Sequence, residues 1–391
     1  MFFRAGNTAK SNKFFKIRES ESMRNMILTA GPSITEKEIN YVTDAVTHGW
    51  NNSWNKYLVR LEDAFKEKFS MKYALLTSSC TGAMHMAIRA LGIGPGDEVI
   101  VPELTWVATA SVVNYVGATP VFVDVDPNNW TINPESFEKA ITAKTKAVMP
   151  VHLYGHPANM PTIMKIAQKH GLKVLEDAAP AIGATVHGQY AGTFGDVAAF
   201  SFQGAKMMVT GEGGILLTNN SKYFESIKQF SEHGRSKDPK KTFWIETIGY
   251  KYKMSNIQAA LGLGQFERVD ELIEKKRTIF SWYKSRLADL KGVALNEESS
   301  WAKSIYWMTS MYIDRGSRVS RDQLMQLLKQ DGIDTRPVFP TISKYPMWYS
   351  DCSNPISVKI SENSINLPSG HNLKESEVDY VCNCITKHLN A

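Results

Sequence analysis

The chain has 391 residues, 43% hydrophobic and 21% charged, so it can bury a large core and is long enough for two domains. Its net charge is only +6, and its lysines and arginines are spread along the sequence, which argues against nucleic-acid binding. The four cysteines form neither a zinc pattern nor a disulfide framework, and no apolar run is long enough to cross a membrane, so we expect a cytoplasmic protein with no metal and no membrane partner.

The N-terminal segment has its own composition. Residues 1–25 are basic and contain two Phe-Phe pairs, but they lack the continuous apolar core of a signal peptide. We therefore predict a flexible extension over residues 1–25, with the first folded domain beginning at residue 26.

Predicted helices and strands alternate from residue 33 onwards. Ser33 and Glu36 have the spacing of a capping box before a helix over residues 39–46, and a second helical pattern follows at residues 57–69. Strands are then predicted at residues 74–77, 98–101, 120–125, 147–151 and 173–176, and helices at residues 82–91, 109–115 and 160–170. This alternation predicts a mostly parallel sheet that helices cover on both faces.

The pattern changes in the second half of the chain. Strands are predicted at residues 198–202, 214–218 and 306–313, and helices at residues 256–287, 321–330 and 375–389. We place the change of domain near residue 275. The sequence thus predicts a three-layer α/β/α large domain over residues 26–275 and a smaller α+β domain over residues 276–391.

Two polar segments follow predicted strands, where open parallel sheets bind their ligands. Residues 78–82 place small hydroxyl side chains and backbone N–H groups at the start of a helix, which suits a phosphate, although a plain helix cap needs only one such residue. Asp177 ends a buried strand, where a carboxylate requires a cation or strong donors. A pyridinium nitrogen is such a cation, and a cap for the next helix is the alternative.

A third segment brings a lysine to the same edge. Lys206 follows a predicted strand within a Gly-rich turn. A lysine beside a phosphate-bound aldehyde would bind it covalently, and desolvation would make its amine a base, whereas a surface lysine is the simpler alternative. A phosphate site, a carboxylate for a ring nitrogen and a reactive lysine are together what pyridoxal 5'-phosphate (PLP) requires.

Further motifs occur in a fixed order, at residues 94–102, 117–124, 150–155, 176–179, 201–206, 210–214 and 254–260. On these motifs the sequence resembles the DegT/StrS family of PLP-dependent sugar aminotransferases, which have the aspartate-aminotransferase-like fold (fold type I). The resemblance runs from about residue 27 to the C-terminus. It implies PLP as cofactor, L-glutamate as amino donor, a keto nucleotide-sugar as acceptor, and a homodimer with shared active sites. Some relatives have a histidine in place of Lys206 and act as dehydratases, so Lys206 implies an aminotransferase.

The resemblance also implies roles for individual residues. Lys206 would bind the cofactor covalently and move protons, Asp177 would pair with the ring nitrogen, and Trp106 would stack on the ring. The remaining cofactor contacts would be Cys80, Thr81, Ser201 and, from the other subunit, Lys251. The candidate substrate contacts are Trp54, Lys56, His152 and Arg336. Core packing is the alternative for Trp106, a structural histidine for His152 and a surface ion pair for Arg336.

The acceptor is the least constrained part of this interpretation. Residues 243–254 and 335–339 resemble family members that aminate C4 of GDP-4-keto-6-deoxymannose. Another UDP- or dTDP-linked 3- or 4-keto sugar is the alternative acceptor. Pro180 and Lys251 depart from the family pattern, and they keep a second alternative open, a PLP-binding regulator without turnover.

Overall fold

The computed structural model describes residues 26–349 and 354–390, so the predicted N-terminal extension, residues 1–25, lies outside the described residues. The strands are β1 Tyr73–Thr77, β2 Glu98–Pro102, β3 Thr119–Val123, β4 Thr145–Val148, β5 Lys173–Asp177, β6 Thr185–Val186, β7 Gln189–Tyr190, β8 Val197–Ser201, β9 Gly214–Thr218, β10 Val293–Leu295, β11 Ala302–Lys303, β12 Ser310–Ile313, β13 Arg336–Pro337 and β14 Ser364–Asn366. The α-helices are α1 Glu36–His48, α2 Lys56–Phe69, α3 Cys80–Ala90, α4 Ala108–Tyr115, α5 Pro134–Lys139, α6 Met160–His170, α7 Ser221–Ser231, α8 Asn256–Phe266, α9 Val269–Leu287, α10 Arg321–Gln330, α11 Pro355–Asn363 and α12 Glu375–Asn390.

A seven-stranded sheet in the order β1-β9-β8-β5-β4-β2-β3 forms the centre of the molecule. β9 is antiparallel to both of its neighbours, and the other adjacent pairs are parallel. The carboxyl ends of β1, β5 and β8 therefore lie at the same edge of the sheet as the start of β9. The loop of residues 202–213, which contains Lys206, joins β8 to β9 at that edge.

Side chains of β8 alternate between the two faces of this sheet. Ala198 and Phe200 belong to one buried cluster with residues of α2 and α8, whereas Ala199 belongs to another with residues of α3 and α4. This period-two burial is what a strand covered on both faces requires. Helices lie on both sides of the sheet, and the predicted three-layer α/β/α architecture is confirmed.

The C-terminal part has a second core. An antiparallel sheet in the order β10-β12-β14-β13 packs against α9, α10 and α12, with Tyr283, Leu328, Ile365 and Ile385 buried between them. A three-stranded sheet, β11-β6-β7, pairs this part with the loop that follows β5. The predicted domain boundary near residue 275 lies within α9 and stays a prediction.

The predicted capping box of the first helix was wrong by two residues. Thr35 and Glu38, not Ser33 and Glu36, form the capping box of α1, and the backbone N–H of Thr35 donates to Oε2 of Glu38 at 2.8 Å. The reason is tertiary: the fully buried Glu38 also accepts hydrogen bonds from Gln265 and Arg268. The long helical segment predicted over residues 256–287, with a mild break, consists of two helices, α8 and α9.

None of the helices within the described ranges is both long enough and apolar enough to cross a membrane.

Glu38 provides a test of how α1 is attached to the rest of the fold. Its burial opposes ionisation, but hydrogen bonds from Thr35 and Arg268 hold its pKa at about 2, below the ordinary value of 4.5. Glu38→Gln breaks this buried pair and is expected to lower the free energy of unfolding at pH 7 by about 3 kcal/mol, measured by urea denaturation. Because the folded-state pKa is depressed, the difference between variant and wild type is present above pH 4.5 and disappears as the pH falls toward 2.

The control is Glu225→Gln, because Glu225 pairs with Lys237 in an exposed salt bridge. It is expected to leave stability unchanged. Equal stability of the two variants at pH 7 would contradict this account of Glu38.

Candidate active site

A cavity of about 430 Å³ lies at the carboxyl edge of the central sheet, within the usual size range of small-molecule sites. Seven of the predicted site residues line it: Cys80, Thr81, Trp106, Asp177, Ser201, Lys206 and Arg336. They come from the start of α3, the segment that precedes α4, the ends of β5 and β8, the β8–β9 loop and β13. The other four predicted residues, Trp54, Lys56, His152 and Lys251, do not line it.

The first turn of α3 presents backbone donors to the cavity. Ser79 caps the helix, and its Oγ accepts the N–H of Gly82 at 3.0 Å. The N–H groups of Cys80 and Thr81 precede the first intrahelical hydrogen bond, and both residues line the cavity. Gly214 lets β9 approach closely, since a Cβ there would lie 2.6 Å from the backbone nitrogen of Cys80. This arrangement suits an anion.

The environment of the Cys80 thiol disfavours its ionised form. Burial raises its pKa well above the ordinary value of 9.0, and the charge of Asp177 acts in the same direction. Because the thiolate is the reactive form, this environment does not favour a nucleophilic role for Cys80.

Asp177 is a buried carboxylate at the end of β5. Its Oδ2 accepts the hydroxyl of Thr109 at 2.8 Å, and its Oδ1 accepts the N–H of Ala179 at 3.2 Å. Burial raises the pKa of Asp177, and these two hydrogen bonds oppose that effect. Thr109 was not predicted as a site residue; it lies three residues after Trp106, in the first turn of α4.

Lys206 is partly buried, and its amine lies against an aromatic ring. Its Nζ is 3.9 Å from the ring centroid of Trp307. Desolvation lowers the pKa of Lys206 to about 8, although the nearby Asp177 and Cys80 favour the charged form. An amine with this pKa accepts and releases protons near neutral pH.

Aromatic rings form one wall of the cavity. Phe339 lies 5.6 Å from Trp106 and 5.3 Å from Tyr154, and Tyr154 lies 5.9 Å from Trp307, all between ring centroids. We call Trp106, Phe339, Tyr154 and Trp307 the aromatic wall. Sequence reasoning identified only Trp106 as a site residue, although Phe339 and Tyr154 lie in motifs at residues 335–339 and 150–155.

Arg336 lies at the exposed edge of the cavity, on β13. Within residues 26–349 and 354–390 it has no ion-pair partner, so the surface ion pair considered as its alternative role is not formed there. Pro180 also lines the cavity, so this departure from the family pattern concerns the site itself.

His152 lies outside the lining of the cavity. It is fully buried; its Nδ1 accepts the N–H of Ala158 at 3.0 Å, so Nε2 carries the proton and donates to Glu176 at 3.0 Å. Both ring nitrogens are thus occupied. The structure does not bring His152 to the other candidate substrate contacts.

Trp54, Lys56 and Lys251 lie on the surface of the chain. Lys56 pairs with Asp44 at 2.8 Å, and Lys253 lies over the ring of the exposed Trp54. Lys251 is exposed, whereas its neighbour Tyr252 packs on Gly82 and Tyr250. These three predicted residues are therefore separate from the cavity of their own chain.

The cavity fits PLP on its own chemistry. A buried carboxylate suits a protonated ring nitrogen, free helix N–H groups suit a phosphate, and a desolvated lysine suits an aldehyde. The three groups line one cavity of sufficient volume, which no single motif of the sequence established.

Comparisons with known proteins agree with this geometry. The model of the DegT/DnrJ/EryC1/StrS aminotransferase family matches residues 32–386. The GDP-perosamine synthase of Escherichia coli O157:H7 is 40% identical over 357 residues, which are 91% of this chain and 96% of the relative. That of Caulobacter vibrioides is 39% identical over 360 residues, with the same coverage of both chains.

A solved structure from Streptococcus pneumoniae, described as a sugar aminotransferase, has the same fold. Its PMP form gives a TM-score of 0.87 at 28% identity and its PLP form 0.86 at 27% identity, each covering 93% of this chain and 99% of that one. The predicted fold type, family and cofactor are confirmed. The chain belongs to the DegT/DnrJ/EryC1/StrS aminotransferase family and is a PLP-dependent sugar aminotransferase.

Proposed function

We propose that this enzyme transfers an amino group from L-glutamate to C4 of GDP-4-keto-6-deoxymannose, giving GDP-perosamine. The observation that carries the chemistry is the presence of Lys206 and Asp177 in one cavity. The acceptor is supported by the two GDP-perosamine synthases, which this chain matches over nearly their whole length.

The residues around the cavity have distinct proposed roles in holding PLP. Asp177 binds the ring nitrogen, and Thr109 holds the carboxylate in position. The N–H groups of Cys80 and Thr81 and the hydroxyl of Ser201 bind the phosphate, with Trp106 against the ring. When bound, PLP supplies an electron-withdrawing ring that stabilises negative charge on the carbon that loses a proton.

Lys206 performs the proton transfers in this proposal. Once its amine is free, Nζ takes a proton from Cα of L-glutamate, and in the second half of the cycle it returns a proton to the sugar carbon that receives nitrogen. A pKa of about 8 lets the same amine do both near neutral pH. The buried Asp177 becomes ionised more easily when a cationic nitrogen lies beside it, because an opposite charge offsets the effect of burial.

Two features of the cavity favour a deoxy-sugar carried by an anionic group. The aromatic wall offers an apolar surface to a sugar ring and its methyl group. Arg336, at the exposed edge, offers a guanidinium to a substrate carboxylate or phosphate.

We further propose a homodimer in which each cavity is completed by the partner. Lys251 is exposed and lies outside the cavity of its own chain, next to Tyr252, which is packed. The loop before it exposes large apolar side chains, with Phe243 81% and Ile248 79% exposed. Apolar groups exposed together in this way are typical of an interface. In this arrangement Lys251 binds the phosphate in the partner's cavity, and Trp54 and Lys56 lie near the partner's substrate.

A panel of acceptors tests the proposed function. We expect the wild-type enzyme, supplied with L-glutamate, to aminate GDP-4-keto-6-deoxymannose with kcat/KM at least about tenfold above UDP- and dTDP-linked 3- and 4-keto sugars, measured by mass spectrometry. Lys206→Ala is the inactive control; it should lose the visible band of the cofactor and at least about 10³-fold of kcat, because the positioned amine is removed. Preferential amination of a UDP- or dTDP-linked sugar would overturn the acceptor, and a wild-type-like spectrum in Lys206→Ala would overturn the role of Lys206.

Mixed dimers test the shared sites. Lys251→Ala should weaken PLP binding roughly tenfold or more, because a charge-assisted contact to the phosphate is lost. Co-refolding Lys206→Ala with Lys251→Ala at limiting PLP should restore activity, since each mixed dimer then contains one cavity with both lysines intact. Each variant refolded alone is the control. If Lys251 served its own cavity, both sites of the mixed dimer would be defective and no activity would return.

A further inference from the structure

A buried lysine outside the cavity contacts the segment that carries Trp307. Lys276 is 3% exposed and lies on the inner face of α9, where its helical neighbours Leu272, Ile273 and Phe280 are buried apolar residues. A methionine or leucine would fill this position at no electrostatic cost, because burying an amine is unfavourable unless it is hydrogen-bonded. Burial lowers the pKa of Lys276 to about 7.

The amine of Lys276 joins two loops. Its Nζ donates to the carbonyl oxygen of Trp307 at 3.1 Å and to that of Ser369. Ser369 in turn accepts the N–H of Thr309 with its Oγ at 3.0 Å. Lys276 thus holds the backbone of Trp307 in position.

The Trp307 side chain is fixed from other directions as well. Its Nε1 donates to the carbonyl oxygen of Ala205, next to Lys206, at 2.7 Å, and its ring stacks on Tyr154. Gly155 lets the backbone of Trp307 lie close to the loop that carries Tyr154, since a Cβ there would be 2.7 Å from the backbone nitrogen of Trp307. The ring centroid ends 3.9 Å from Nζ of Lys206, within the range of a cation–π interaction.

We propose that Lys276 is a positioning residue that holds the ring of Trp307 against the amine of Lys206. This inference rests on the proposed role of Lys206 in proton transfer. Whenever the amine of Lys206 is not bound covalently, its ammonium form contacts the ring of Trp307. This contact keeps Nζ of Lys206 near the reacting carbon and stabilises the protonated form of the amine.

Other charged groups do not account for this coupling. In the described part of the chain, the ionisable groups that shift the pKa of Lys206 are Asp177 and Cys80, and Lys276 is not among them. The charge of Lys276 acts on His371, whose pKa burial and that charge lower to about 3, so His371 is neutral. Removal of the Lys276 amine therefore acts on Lys206 through the position of Trp307.

The test compares Lys276→Met with Lys275→Met in the full-length protein. Lys275 is the adjacent residue of α9, and its Nζ donates to the carbonyl oxygen of Leu373, away from the cavity. In cofactor-free protein, the rate at which a small acylating reagent labels Lys206 is measured against pH by peptide mass spectrometry. In the holoenzyme, the pH midpoint of the visible absorption band and kcat are measured.

We expect Lys276→Met to lower the apparent pKa of Lys206 by about 0.5 to 1 unit, because the ammonium loses its contact with the ring. We also expect kcat to fall roughly tenfold, because the amine is less well positioned. Lys275→Met should match the wild type in all three measurements. A folded Lys276→Met with the wild-type labelling profile would overturn the proposal.

A second variant covers the case in which Lys276→Met does not fold. Trp307→Leu removes the ring itself and should lower the apparent pKa of Lys206 by a similar amount; an unchanged profile would overturn the proposal. The failure of the proposed function is distinguishable, because it would appear as a visible band that survives in Lys206→Ala. The labelling profile of cofactor-free protein reports the position of Lys206 in either case.

Discussion

A carboxylate at the buried end of a strand requires hydrogen-bond donors. The donors to Asp177 come from segments that meet at the edge of the sheet where the cavity lies. β5 is buried along four of its five residues, and Asp177 itself is only 5% exposed, so little of its carboxylate is in contact with water. Thr109 from α4 and the N–H of Ala179 supply two hydrogen bonds, and these leave the burial effect on its pKa only partly offset. A nearby cation would offset the remaining effect of burial, and the charge of Lys206 acts on Asp177 in this direction. A cofactor with a protonated ring nitrogen meets the same requirement while Lys206 is engaged elsewhere.

The same desolvation acts in opposite directions on the ionisable groups of the cavity. It raises the pKa of Asp177 and of Cys80 and lowers that of Lys206, since burial disfavours the charged form of each. The thiol is kept in its less reactive protonated form, whereas the amine can act as a base. Desolvation thus has opposite effects on the reactivity of these two potential nucleophiles. The aromatic wall contributes to the desolvation, because its rings replace water along one side of the cavity.

Local pattern was sufficient for most of the architecture, because strands buried on both faces and amphipathic helices leave periodic signals. The helices Met160–His170 and Arg321–Gln330 and the strand Gly214–Thr218 have the predicted bounds. The short strands of the C-terminal part, such as Arg336–Pro337, carry too few residues for any period. In the site, polar residues that follow strands could be predicted, as with Lys206 and Asp177. Thr109 and Trp307 could not, because their roles depend on contacts 68 and 102 residues away along the chain.

The residues that do not line the cavity are as informative as those that do. His152 is held by Glu176 and Ala158, and these two hydrogen bonds occupy both nitrogens of its ring. Lys251 differs from His152, because its side chain is exposed. The neighbouring Tyr250 and Tyr252 are packed against each other, so they hold the backbone of Lys251 in place. Trp106 is likewise 55% exposed although it borders the cavity. Three features of the single chain are thus unexplained by its own contacts: the cavity is open, Lys251 is an exposed cation, and the adjoining loop exposes apolar side chains. A second copy that supplies Lys251 to the cavity and covers the loop would account for all three.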